Sequence, residues 1–413
     1  LGMAFNLYQG SGTLTSFTLG VGYSKLADFN TTSAAYGQGI DKSITDVLAE
    51  YMNGVPLSSL GHPDNDPYQP FRRADVGLWG GILAYQTGIL DPMSDAQDNK
   101  QYTVANNLAT GSRINPSMRN VNKGSIDEYS ISGGFNIQNI LYLGFTIGIQ
   151  DILYRNDNYY AETYDNNPLP LNGMNYIRSL HLDGTGVNFK FGAVVRPVEN
   201  LRIGVAVHTP TLVSINEEYI EWMSADYKNT ARGELLDSPR SLNEYDINTP
   251  TRLLTGISYT LPGVGLITAD YERVWYNRMK LRNMGTENWD FQQTINNEVS
   301  SFYQPANNFR VGIEATPAQN FYIRAGYANY GECIATRDAF NNMSSINSYE
   351  NYSAGLGFRF QNMYVDLAYI YTEYKYAPYT MFYYGDPDYV VNPGNVETKQ
   401  SRNTITMSVG VRF

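Results

Sequence analysis

NFRVGIEATPAQNFYIRAGYANY, residues 308–330, holds one structural unit twice with its turn in between. Phe309, Val311, Ile313 and Ala315 alternate with Arg310, Gly312 and Glu314. This period of two sends apolar and polar side chains to opposite faces of a strand. After Thr316-Pro317-Ala318-Gln319-Asn320, whose Pro and Asn suit a tight turn, Phe321, Ile323, Ala325 and Tyr327 alternate with Tyr322, Arg324, Gly326 and Ala328. The stretch predicts a β-hairpin. A symmetric turn sets Glu314 opposite Arg324 and Gly312 opposite Gly326, so one face is charged and glycine-rich and the other wholly apolar. A sandwich would hide the apolar face against a second sheet, whereas a membrane-spanning barrel turns it to lipid and keeps the polar face inward. The number of copies decides between them.

Working outward, the same alternation recurs through most of the 413 residues. Leu1 to Gln9 has the character of a strand end, and Phe17, Leu19, Val21 and Tyr23 mark a full strand. A long excursion follows, placed at 29–123, without sustained alternation. From Ser125 strands come in series, joined alternately by short turns (Gln138-Asn139, Pro197 to Asn200, Pro262-Gly263, Gln361 to Met363) and by long loops. The last strand carries Ile405, Met407, Val409 and Val411 and ends on Phe413. Alternation of short turns with long loops is what the two ends of an outer-membrane barrel produce, and a sandwich gives no reason for it. The expected fold is all-β: a transmembrane antiparallel β-barrel spanning 1–413 as one domain, with about thirteen strands visible and short helices in the external loops. Single-chain barrels have even strand numbers, so about fourteen strands are expected in the complete protein, the missing one preceding Leu1.

Composition supports this. Charged residues are 17% of the chain and no apolar run is long enough for a membrane-spanning helix, which excludes a helical membrane protein. The 35 Tyr and 37 Gly match the aromatic girdles and glycine-rich walls of barrels. A net charge of -11 argues against nucleic acid and against anionic lipid headgroups as electrostatic partners of the chain as a whole. A single cysteine, Cys333, rules out an internal disulfide and a cysteine metal cluster.

Several stretches resemble the FadL/TodX family of outer-membrane transporters for hydrophobic compounds, in particular its hemin-receptor-like branch. They are GFTIG at 144–148, FGAVVRPV at 191–198 with LRIG at 201–204 and HTP at 208–210, NTPTR at 248–252, DYE at 270–272, RVGIE at 310–314 and RAGY at 324–327. The resemblance spans most of the chain. It implies a monomeric fourteen-stranded barrel in the outer membrane of a Gram-negative bacterium, with an N-terminal hatch, taking hydrophobic molecules from outside and releasing them sideways through a wall defect. Two departures stand out: Leu1 already lies in what would be the second strand, which suggests an N-terminally incomplete chain, and the longest external loop follows the third strand rather than the fifth. No binding residues are carried over from the family.

Three function classes follow: an uptake channel for hydrophobic small molecules, a scaffold or substrate-shuttle component of an outer-membrane secretion complex, and a barrel enzyme. The expected partners are outer-membrane lipid, a hydrophobic ligand and, in a larger complex, other proteins. No cofactor or metal is expected. Two helical stretches are predicted, Lys42 to Asn53 and Trp289 to Val299. The apolar face of the first, Ile44, Val47, Leu48, Tyr51 and Met52, is the candidate capture site for a ligand at the barrel mouth. Of the polar inward set, Glu314 with Arg324 and Arg359 with Asp366 are expected as cross-strand pairs near the short-turn rim. Ser179, His181 and Asp183 share a strand face, but same-face neighbours sit about 6.6 Å apart, too far for a nucleophile and its base. His62 and His208 have no ligand at metal spacing. Finally, between Tyr176 and Arg196 the apolar phase moves from even positions (Leu180, Leu182) to odd ones (Phe189, Phe191). This predicts a bulge at Asp183-Gly184-Thr185-Gly186, read either as a register correction or as a sideways exit through the wall at Gly184 and Gly186.

Overall fold

The computed structural model describes residues 1–61, 66–228, 233–285, 288–335, 340–341, 345–377, 379–386 and 389–411. The expected readings at His62 and Phe413 lie outside these residues. The strands, in chain order, are β1 (Gly2–Gln9), β2 (Leu14–Asp28), β3 (Thr31–Tyr36), β4 (Arg113–Ile137), β5 (Leu141–Asp165) and β6 (Leu171–Val198). They continue with β7 (Leu201–His208), β8 (Leu212–Tyr227), β9 (Ser241–Asn248), β10 (Arg252–Leu261), β11 (Gly265–Trp275) and β12 (Lys280–Arg282). The series ends with β13 (Pro305–Ala318), β14 (Phe321–Tyr330), β15 (Ser345–Phe360), β16 (Met363–Ala377) and β17 (Lys399–Val411).

Every ladder in this sheet is antiparallel and joins neighbours along the chain. Four staves are interrupted: β2 and β3 both pair with β4, β7 and β8 with β6, while β10 and β9 pair with β7 and β8, and β11 and β12 with β10 and β9. Counted by stave, the described residues form thirteen, a barrel wall whose end strands β1 and β17 each pair on one side. The opening hairpin has the expected register, with Glu314 opposite Arg324 and Gly312 opposite Gly326. Its turn closes on Asn320, whose φ of 65 is the left-handed conformation Asn tolerates.

The expected excursion at 29–123 is shorter than its boundaries, because residues 31–36 and 117–122 pair with each other and β4 begins at Arg113. Alternation is weak there because Pro116, Asn120 and Asn122 share the inner face with Ile114 and Met118. What leaves the sheet, residues 37–61 and 66–112 among those described, folds into a cap with its own core. Helix α1 (Ile44–Met52) starts at Ser43, whose side chain accepts from Thr45 N while Asp46 reaches back to the Ser43 N–H, a capping box. Helix α2 (Trp79–Gln86) is apolar all round and buried along most of its length. Its glycines permit close approach: a Cβ at Gly81 would lie 2.5 Å from Met52 Cγ, and one at Gly80 2.5 Å from the Tyr176 hydroxyl on the wall. Tyr379, Met381, Phe382 and Val391 complete this core, Phe382 standing edge-on to Tyr160 with ring centres 6.0 Å apart. Helix α3 (Trp289–Phe302) covers the short strand β12. Its buried Asn296 mimics a neighbouring strand, accepting from Leu281 N at 2.8 Å and donating to Leu281 O at 3.0 Å.

Candidate functional site in the barrel lumen

The lower half of the wall, toward the short turns, is apolar outside and polar inside. Leu143, Phe145, Val205, Ile313 and Leu356 are exposed on the outer face. Rings gather at the upper border of this band, as in Tyr23 on Tyr129, Tyr271 on Phe309 and Tyr327 on Tyr352. The inner face carries glycines and charge. Arg324 Nε donates to Glu314 and Arg324 Nη1 to Asp366, each at 2.6 Å, and Arg359 reaches the other Asp366 oxygen at 3.1 Å. The two expected pairs are therefore one four-residue chain. Higher up, Glu272 accepts from Arg310 at 3.3 Å and Asn308 at 3.2 Å, with Arg252 at 3.8 Å. Glu128 is bonded by Lys190, by Gln150 at 3.0 Å and by Asn188 at 3.2 Å. Between these networks the lumen keeps space. A cavity of about 630 Å³ touches Tyr142, Val194, Arg202, Leu254, Asp270 and Arg310, and a second of about 550 Å³ shares Thr268, Asp270 and Arg310 with it.

Above this level the inside becomes apolar and belongs to the cap. Ile44, Val47, Leu48 and Met52, expected to capture ligand, are buried in the cap core, and only Tyr51 is exposed, edge-on to Tyr384. The apolar period of α1 reports that a face is covered, and here α2 and the wall cover it. The helix is bolted to the wall by Glu162, a fully buried acid of β5 that the sequence pattern did not single out. Its carboxylate accepts from Ser43 Oγ at 2.5 Å, Ile44 N at 2.8 Å, Tyr160 OH at 2.6 Å and Tyr164 OH at 2.9 Å. It thus occupies the positive end of the α1 dipole. Glu162 lies well above the apolar outer band of its strand, which ends near Ile149 opposite Tyr129, and burial raises its carboxyl above the usual range despite the four donors.

Ser179, His181 and Asp183 do lie on one face, the outer one, without forming a catalytic relay. Ser179 Oγ donates to Asp157 at 2.7 Å, Asp183 accepts from Asn216 at 2.9 Å, and His181 stands opposite Arg155 across the ladder. Among the described residues no group of His, Cys, Asp and Glu is arranged to hold a metal.

The bulge expected at Gly184 and Gly186 is absent. The ladder to β5 runs without a shift from Gly173 to Val195, and the ladder to β8 from Gly173 to Val187. The wall is closed there, so the exit at Gly184 and Gly186 falls with the bulge. The odd positions of β6 face outward throughout: Val187, Phe189 and Phe191 below, Asp183 and Thr185 above. What changes is the character of the two faces, the outer going from apolar to polar and the inner from polar lumen to cap core. The extra residue sits one strand over. Between Lys190 opposite His208 and Val187 opposite Leu212, three steps on β6 face four on its neighbour, at Thr209-Pro210-Thr211. Thr249-Pro250-Thr251 makes the matching step on the next stave. Threonines close both: Thr209 Oγ1 accepts from Phe189 N at 3.0 Å, Thr249 Oγ1 from Thr211 N at 2.8 Å, and Thr249 N donates to Thr211 O at 3.0 Å.

No family model matches the chain, and no curated protein matches it. Among solved structures it is similar to a Pseudomonas aeruginosa FadL homologue, with 14% identity over 78% of this chain and 75% of that one and a TM-score of 0.46. It is similar to the Ralstonia pickettii toluene transporter TbuX, with 13% identity over 100% and 81% of the two chains and a TM-score of 0.44. It is also similar to the toluene transporter TodX of P. putida, with 12% identity over 72% and 77% and a TM-score of 0.37.

Proposed function

We propose that this chain is an outer-membrane channel of a Gram-negative bacterium that takes up hydrophobic small molecules. The observation that carries the reading is the polarity of the lower wall. A barrel whose outer face is a band of Leu, Ile, Val and Phe bordered by tyrosines, and whose inner face holds Arg, Lys, Glu and Asp, is solvated by lipid outside. An apolar cap over the long-loop mouth gives an apolar solute a surface to partition onto, and the cavities of about 630 and 550 Å³ below it are of a size for a small ligand. Because four of the five α1 face residues are packed away, capture requires the cap to open or its rim, at Tyr51 and Tyr384, to serve.

The test is reconstitution into phosphatidylcholine vesicles with radiolabelled toluene and oleate as probes. Protein-dependent entry of either supports the reading. Insertion without entry of any apolar probe removes the uptake function and turns attention to the secretion-scaffold alternative, and failure to insert removes the membrane placement.

A further inference from the structure

In a chain of net charge -11, one patch of the outer wall is basic and aromatic. The outward positions of β11 climb from Ile267 and Ala269 to Tyr271, then Arg273 and Trp275. Tyr271 packs on Phe309 with ring centres 5.1 Å apart and donates to Asn307 Oδ1 at 2.7 Å, which marks the upper border of the apolar band. Trp275 lies four residues further, roughly 13 Å along the strand at about 3.4 Å per residue. With the usual barrel tilt this is on the order of 10 Å above the band, the depth of a headgroup layer.

Two guanidinium groups lie against the Trp275 ring, Arg273 at 5.8 Å and Arg278 at 5.6 Å from its centre. Lys280 follows on the same face, exposed. Among the described residues none of these three cations has a carboxylate partner, and Arg273 only donates to Asn307, at 3.4 Å. Asp246, an outward acid of the neighbouring stave, stands opposite Arg282 and accepts from Asn283. Alongside, α3 packs on residues 276–278 and exposes Trp289 and Phe291, with Asp290 in the same turn.

We infer that this patch binds the phosphate of a phosphorylated glycolipid in the outer leaflet, Arg273, Arg278 and Lys280 taking the phosphate and Trp275 seating the head of the lipid at the interface. Guanidinium pairs match phosphate oxygens in a planar fork, and tryptophan prefers the border between hydrocarbon and water. A solvated rim gives no reason to gather unpaired cations on one ring directly above a lipid band. The inference rests on the membrane placement proposed above.

The experiment titrates the full chain in neutral detergent with bisphosphorylated lipid A and with its dephosphorylated form, reading binding by native mass spectrometry. The phosphorylated lipid is expected to bind at least about tenfold more tightly, and Arg273→Gln with Arg278→Gln to weaken it about 25-fold, near fivefold per charge. The corresponding double lysine variant retains part of the affinity, and retained heat-modifiable mobility confirms that each variant is folded. Equal affinity for both lipids, or an unchanged double glutamine variant, overturns the inference. So does displacement by millimolar inorganic phosphate, which would mark a simple anion site. Insertion into phosphatidylcholine vesicles without any headgroup preference overturns the patch alone; failure to insert overturns the membrane placement and the patch together.

Discussion

The lower and upper halves of the wall are built from the same strands with opposite polarity, and neighbouring staves reach that inversion by different routes. On β6 the ladder is regular and the sequence changes phase: Phe189 and Phe191 meet the outside below, Leu180 and Leu182 the inside above. On the next stave the sequence keeps its phase and the backbone changes instead. Ile203, Val205 and Val207 are exposed outside, Val213 and Ile215 buried inside, all on odd positions, and the extra residue at Thr209-Pro210-Thr211 rotates one half against the other. Proline suits this step because it has no N–H to leave unpaired, and the flanking threonine hydroxyls supply the bonds the ladder loses. A phase change in sequence is thus evidence for a change of surroundings, and a bulge is only one way to produce it.

An arginine scan is the strongest way to break this comparison. At Met174, fully buried under the cap, arginine leaves an unpaired charge in a core, and a loss of more than about 4 kcal/mol is expected. At Ile147, on the lipid face, the cost is about 2–4 kcal/mol, and at its lumenal neighbour Thr146 about 1 kcal/mol or less. On β6 the tolerant positions switch from even below to odd above. Urea titrations of vesicle-reconstituted variants measure this, and equal tolerance on both faces at either level removes the two-environment account.

Next in size is the bolt at Glu162. Replacement by alanine leaves four buried donors without an acceptor and is expected to cost about 3 kcal/mol of cap docking. Since burial raises this carboxyl in the folded state, the folded state holds the proton more tightly than the unfolded chain. Its contribution is fully present below the ordinary carboxylate pKa and is lost as the pH rises through the raised value. Proteolysis of residues 37–112 should therefore be slower in mild acid than at neutral pH, and Glu162→Gln should flatten that dependence. The lower wall should show no such effect, so a pH response shared by both halves would break the comparison.

Period-two alternation made the lower wall legible, down to the opposition of Glu314 and Arg324, because one face must satisfy lipid at every turn of the pleat. The upper wall was harder to read. Once the inside is a protein core and the outside is water, Asn120 and Asn158 can bond each other inside while Leu153 stays outside, and the alternation dissolves. Helix α1 was visible from its one-sided face, whereas α2, WGGILAYQ, has no polar side and looks like no element at all. The site was the least legible part. Amphipathic periodicity shows that Ile44, Val47, Leu48 and Met52 are covered and not by what, and Glu162 is marked only by the Tyr-x-Glu-x-Tyr spacing that places three polar side chains on one inner face.

A gentler probe addresses the seam between the two routes. Gly184 packs against the stave that carries the Thr-Pro step, where a Cβ would meet Ser214 O at 2.5 Å and Ile215 Cδ1 at 2.7 Å. Gly184→Ala should cost about 1–3 kcal/mol by forcing the two strands apart. A bulky residue at Gly186 should destabilise in the same way, and among variants that still fold it should leave solute uptake unchanged, since the ladder there is closed. Uptake lost in such a folded variant would reopen the question of a route through this wall.

The smallest expected effect lies at the short-turn end of the lower wall, in the chain Glu314, Arg324, Asp366, Arg359. All four side chains are partly wet, so each contact should contribute about 1 kcal/mol or less. The informative quantity is the coupling. Arg324 divides itself between Glu314 and Asp366, and Asp366 divides itself between Arg324 and Arg359, so the contacts compete. In a double-mutant cycle the Arg359–Asp366 coupling should therefore grow when Arg324 is replaced by methionine, because Asp366 then has one cation instead of two. Glu128 and Lys190, more deeply covered and held by Gln150 and Asn188, should show a larger coupling with no such exchange. If the two sites give the same coupling and neither responds to a third residue, the lumenal charges are independent surface pairs and the network at the rim has no collective part in holding the barrel.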